Sequence, residues 1–188
     1  STRPGAARIP ADEQILRILP VLRAIRAQGG ALAGIPISVD TTLAPVAAAA
    51  IEAGASIIND VSAGMEDPDI IDLAARHRTG LVLMHRLRPP GADSYSDRYS
   101  TPPVYGDVVA TVRDFLAARA AHAESRGVDR ASIILDPGLG FGKSVEQNLE
   151  LIRRTGELTS LGYPILSGIS RKSFTGRAAG MENSAPAD

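Results

Sequence analysis

The chain contains no cysteine and no tryptophan, and aromatic residues make up only 4% of it. Without cysteine there is no disulfide framework, no thiolate metal site and no thiol nucleophile, which fits a reducing, cytoplasmic setting. The three histidines, His77, His85 and His122, are too scattered to form a zinc site. Charge of one sign is also lacking. Twenty Lys and Arg against 21 Asp and Glu leave a net −1, with no bulk attraction to nucleic acid or to an anionic membrane. No apolar run approaches the ~18 residues of a membrane span. The opening STRPGAARIP has no apolar core of a signal peptide, and the missing initiator Met makes the chain read as a piece of a longer protein.

What is present is an alternation. Short apolar runs at Ile35–Val39, Ser56–Asn59, Gly80–His85, Ser132–Leu135 and Tyr163–Ile169 read as strands buried on both faces. Amphipathic stretches fall between them. Asp12–Gln28 puts Ile15, Leu19, Leu22 and Ile25 on one face, with Pro20 expected to kink or restart it. Leu43–Ala53, Asp69–Arg78 (capped by Asp67-Pro68), Val104–Arg126 and a helix from a Ser144–Gln147 capping box to about Thr159 complete the set. The pattern predicts a parallel α/β fold. An open sheet gathers ligand groups at one switch point, whereas a barrel aims every strand end at one mouth. Here each strand ends in a polar group: Asp40, Asn59-Asp60, His85, Asp136, then Ser170-Arg171-Lys172. That favours a partial TIM (β/α)8 barrel with about five parallel strands, a single domain over 1–188 truncated at both ends.

The stretch DPGLGFGKS, Asp136–Ser144, has the ending of a phosphate-binding loop. A Walker A motif needs glycine six residues before Lys143, and that position is Pro137. The dinucleotide pattern fails too, because its third glycine would fall on Lys143. What remains is an aspartate at a strand end, a tight turn, and glycines that let backbone approach a ligand. A buried carboxylate is a bidentate acceptor for two parallel N–H donors, such as the edge of a guanidine-like heterocycle. On its own, Asp136 reads equally well as the cap of its turn.

Six blocks in order carry a resemblance: STRPG (Ser1–Gly5), SVDT (Ser38–Thr41), IINDVS (Ile57–Ser62), LMH (Leu83–His85), ILDPGLGFGK (Ile134–Lys143) and SRKSF (Ser170–Phe174). Together they resemble the dihydropteroate synthase family of pterin-binding enzymes and span essentially the whole chain. The resemblance implies a transferase of folate biosynthesis and a target of sulfonamides. It would condense 6-hydroxymethyl-7,8-dihydropterin diphosphate with para-aminobenzoate. Its pterin site would comprise Asp40, Asn59, Met84, Asp136 and Lys172, with Asp40 and Lys172 also catalytic. Thr2, Arg3, Pro4, Phe141 and Ser173 would bind aminobenzoate and diphosphate. Mg2+ would arrive with the diphosphate, its protein ligand an asparagine outside this chain, so no metal ligand is expected within it. Partners are small molecules, with homodimers common in the resembled family.

Apart from the resemblance, Asp40 reads as a helix cap, Asn59-Asp60 as a strand-end turn and Arg171-Lys172 as a solvated pair. A cation pair beside a helix N-terminus is electrostatically misplaced unless an anion sits there. His85 reads as a core or supporting histidine, His77 and His122 as surface residues, and Lys143 has no assigned role. The chain departs from the family after LMH, where Arg86-Leu87-Arg88-Pro89-Pro90 opens a long connection to Pro103 that reads as a lid or a disordered segment. The first two strands, the metal-binding loop and the last strand of the resembled barrel fall outside these residues, and a seventh helix should be starting at NSAPAD. The isolated piece is therefore expected to be inactive. Two other functions stay open: a pterin-dependent methyltransferase and a non-catalytic pterin-binding relative.

Overall fold

The structure, a computed structural model, describes residues 2–180. Ser1 of the STRPG block and the helix start expected at 183–188 lie outside the described residues. The element order is α1 (Ala11–Ala27), α2 (Gly30–Ala33), β1 (Ser38–Asp40), α3 (Ala44–Glu52), β2 (Ile57–Asp60), α4 (Asp69–His77) and β3 (Gly80–Met84). Then follow α5 (Val108–Ser125), β4 (Ile133–Asp136), α6 (Val145–Arg153), α7 (Thr155–Thr159) and α8 (Ser173–Ala178). The four strands form one sheet in the order β1-β2-β3-β4. The β1–β2 and β2–β3 pairs are parallel, with Asp40 opposite Asn59 and Asp60 opposite Leu83. This is the strand–helix repeat of a partial (β/α) barrel.

The expected fifth strand shortens to a single parallel bridge between Ile165 and Leu135. Leu135 donates to the Pro164 carbonyl and accepts from Leu166 N–H. Pro164 has no N–H to extend the ladder, and Leu166 and Ile169 stand 41% and 46% exposed rather than buried. Pro20 does not restart α1, which runs unbroken through it. Pro20 removes the N–H that would pair with the Leu16 carbonyl, and it does so on a face where both residues are exposed. Helix α5 begins at Val108, four residues later than the sequence predicts, because Asp107 accepts from the N–H groups of Val109 and Ala110 and so acts as the cap. The expected capping box is present, with Ser144 and Gln147 exchanging side-chain and backbone hydrogen bonds.

Two compact units can be distinguished. The second comprises Arg8–Leu83 and Arg119–Ile134. Its inner packing includes Leu22 of α1, Val39 of β1 and Ala50 of α3, supported by Ile18 and Ile37. Asp67 ties two of its helices, taking Ala44 N–H at the start of α3 and Asp69 N–H at the start of α4. The first unit comprises Ser1–Ala7, Met84–Ala118 and Leu135–Asp188. Leu116, Leu135, Leu151, Leu158 and Phe174 are among its fully buried apolar side chains.

Candidate functional site

In the first unit, β4 ends in Asp136, only 7% exposed. Its Oδ1 accepts the Gly138 N–H at 2.7 Å, so the aspartate does close its turn. No described residue hydrogen-bonds its other oxygen. Burial raises the Asp136 pKa, while the Gly138 N–H and the charges of Lys143 and Lys172 pull the other way. Gly138 must be glycine. Its φ is +66°, and a Cβ there would meet the His85 carbonyl oxygen at 1.8 Å.

Lys143, left unassigned by the sequence, is fully buried. Its Nζ donates to the carbonyls of Gly138 and Phe141, each at 2.9 Å, and lies 3.0 Å from His85 Nδ1. The ammonium thus pins both ends of the glycine turn. Burial pushes its pKa down to about 7, although Asp136 and Asp93 favour the charge. Burial also holds His85 at about 3, with the Lys143 charge adding to the effect. A histidine so held is a neutral acceptor, matching its expected supporting role. His77 and His122 are exposed, as expected.

The long connection after β3 is neither an open lid nor a disordered segment. Asp93 accepts the Gly142 N–H at 2.8 Å and also takes the Tyr99 hydroxyl. Tyr105 donates its hydroxyl to the Gly142 carbonyl at 2.9 Å. Asn148, fully buried in α6, accepts the Gly140 N–H at 2.7 Å and donates to Ser96 Oγ at 3.0 Å. Sequence reasoning missed Asn148 as well as Asp93 and Tyr95. Only Asn148 left a signal: a poor helix former four residues into a capped helix invites a tertiary explanation.

A cavity of about 220 Å³ is lined by Thr2, Arg3, Pro4, Tyr95, Gly140, Phe141 and the run Ser170–Ser173. All five residues expected at the aminobenzoate and diphosphate end are among them. The Lys172 ammonium lies 4.0 Å from the centre of the Phe141 ring, a cation–π contact. Burial lowers the Lys172 pKa and Asp136 opposes the shift. Met84 is 3% exposed, and its Cγ would lie 3.3 Å from a Cβ on Gly138.

In the second unit, Asp40 and Asn59 end neighbouring strands. Asn59 Nδ2 donates to Asp40 Oδ1 at 2.7 Å, and the buried Asn59 Oδ1 has no partner among the described residues. Asp60 points elsewhere. It is fully buried and accepts from the N–H and the hydroxyl of Ser62, each at 2.7 Å, holding the turn after β2. Among the described residues no three His, Cys, Asp or Glu side chains gather into a metal cage. No described helix is long and apolar enough to cross a membrane.

The whole chain, residues 1–188, matches the family model described as "Pterin binding enzyme". It is 42% identical over 178 residues to the dihydropteroate synthase of Synechocystis, covering 94% of this chain and 58% of that protein. The Mycobacterium leprae dihydropteroate synthase is 45% identical over 178 residues, with 94% and 59% covered. Among solved structures, Xanthomonas albilineans dihydropteroate synthase with 4-aminobenzoic acid superposes with a TM-score of 0.83 at 40% identity, over 98% of this chain and 61% of that one. The chain thus spans about three-fifths of the length of these relatives.

Proposed function

This chain belongs to the pterin-binding enzyme family, and from that premise we propose that it is the central part of a dihydropteroate synthase. The observation that carries this reading is the first unit's cavity. Four separate segments, Thr2–Pro4, Tyr95, Gly140-Phe141 and Ser170–Ser173, converge on one small, cation-lined, aromatic-walled space. Its volume is below the ~300 Å³ at which drug-sized pockets begin, which suits a single ring. The relative of known structure holds 4-aminobenzoic acid.

In this reading Asp136 receives the pterin amino group and an adjacent ring N–H on its two carboxylate oxygens, and Lys172 donates to the carbonyl side of the ring. Asn59 offers an acceptor without a partner among the described residues, Oδ1, to another pterin edge, and Met84 is an apolar wall. The reaction breaks the bond between the pterin methylene and the diphosphate oxygen, with the electron pair leaving on diphosphate. The arylamine nitrogen then attacks the cationic methylene and loses a proton. The Asp40 carboxylate stabilises the developing positive charge, and Arg3 neutralises the departing anion. Phe141 and Pro4 pack on the aminobenzoate ring, and the Ser173 hydroxyl receives its carboxylate. Catalysis rests on orientation and electrostatics rather than on a covalent intermediate.

The test is formation of 7,8-dihydropteroate from the two substrates by the full-length protein containing this chain. Asp136→Asn replaces one acceptor with a donor facing a donor, and is expected to weaken pterin binding at least about a hundredfold. Unchanged affinity in that variant overturns the assignment of Asp136. Binding of methyltetrahydrofolate in preference to the pterin diphosphate would point to the methyltransferase.

A further inference from the structure

Two aromatic side chains line the small cavity of the first unit, and only one belongs to the glycine-rich loop. The other, Tyr95, comes from the connection after β3. Its neighbours in sequence are tied to the residues on either side of Phe141. Asp93 takes the Gly142 N–H at 2.8 Å, and Ser96, itself 5% exposed, receives Asn148, which takes the Gly140 N–H. Tyr95 and Phe141 are therefore held in register through hydrogen bonds on both flanks. Each ring also carries a cation. Arg98 sits 5.1 Å from the centre of the Tyr95 ring, and its N–H donates to the Tyr95 carbonyl at 2.9 Å. Lys172 sits over Phe141. The connection closes on itself where the Tyr99 hydroxyl donates to Asp93.

We propose that Tyr95 is a specificity-determining residue of this cavity, a second aromatic wall that limits its occupant to one planar anionic ring. The inference rests on the arylamine reading of the cavity and adds a residue to it. A ring bound here is confined between Phe141 and Tyr95, and the lining cations Arg3, Arg171 and Lys172 favour a carboxylate on it. Removing one aromatic wall costs contact with the ring and opens room beside it.

The experiment uses the full-length protein and compares para-aminobenzoate with the bicyclic 4-amino-1-naphthoate as acceptor. Tyr95→Ala is expected to raise KM for para-aminobenzoate about tenfold, leave KM for the pterin diphosphate unchanged, and reduce discrimination against the naphthoate. Tyr95→Phe, which keeps the ring, is expected to restore the wild-type values. Tyr95→Ala with unchanged KM and unchanged discrimination overturns the role of Tyr95 while leaving the synthase reading intact. A wild-type protein that condenses neither arylamine overturns the reading and the inference together. Should Tyr95→Ala fail to fold, Tyr95→Leu decides. Relaxed acceptor selectivity in it supports the aromatic wall, and wild-type selectivity overturns it.

Discussion

A lysine ammonium carries three protons, and Lys143 has four acceptors arranged around it: the loop carbonyls of Gly138 and Phe141, the Nδ1 of His85 and, more distantly at 3.4 Å, the His85 carbonyl. These acceptors compensate the buried ammonium without a carboxylate in contact, although burial still holds its pKa down to about 7. The arrangement also requires His85 to keep a lone pair toward Nζ, so His85 must stay neutral. The sign of the pH effect follows. His85 falls from 6.5 to about 3 on folding, so between those values the unfolded chain binds a proton that the folded one refuses. The stability contributed by neutral His85 is complete above about pH 6.5 and is lost as pH falls toward 3. His85→Gln keeps an acceptor for Lys143 and removes the titration. Tyr105 and Phe115 are the other rings against His85, and neither titrates in that window. Urea unfolding of both proteins from pH 7 to pH 4 should show the wild type losing stability faster, by up to ~1.4 kcal/mol per pH unit. Parallel curves would mean that His85 takes up its proton without strain.

At the scale of elements, the glycine-rich loop is shaped from outside. Its own sequence supplies left-handed glycines at 138, 140 and 142, but flexibility alone specifies no conformation. The shape comes from α6 through Asn148 and from the connection after β3 through Asp93 and Tyr105. Asn148→Ala leaves the Gly140 N–H without its partner inside the fold. It should lower unfolding free energy by about 2–3 kcal/mol and, in the full-length protein, raise KM for the arylamine more than for the pterin. Equal effects on both substrates would show that Asn148 serves stability alone. This division also explains what could be read from the chain. Strand ends, the capping box of α6 and the pocket residues of three motif blocks were legible because each depends on local pattern or on a quoted motif. Lys143, Asp93 and Tyr95 were not, because their roles exist only once separate segments are packed together. The strand expected at Tyr163–Ile169 was misjudged for a related reason. Apolar content predicted it, while Pro164 and the pairing available to it decided the outcome.

For the molecule as a whole, the sheet is open. Among the described residues, four strands in the order β1-β2-β3-β4 are extended only by the bridge at Ile165, whereas a closed (β/α) barrel has eight. Closure removes sheet edges, and an open edge is a template for pairing with other chains. Large apolar side chains are exposed as well, among them Leu16 at 74%, Val21 at 58% and Val104 at 92%. Catalysis by orientation tolerates little looseness, because displacing a reacting group by about 1 Å costs on the order of a hundredfold. The 188 residues expressed alone are therefore expected to self-associate and to form no measurable dihydropteroate. Light scattering after size exclusion and a coupled assay for diphosphate release check the two halves of that statement. Restoring flanking sequence to the length of the relatives should return both a defined oligomeric state and turnover. Turnover by the 188 residues alone would show that the open sheet already holds both substrates in reacting geometry, and that the remaining barrel units contribute stability rather than chemistry.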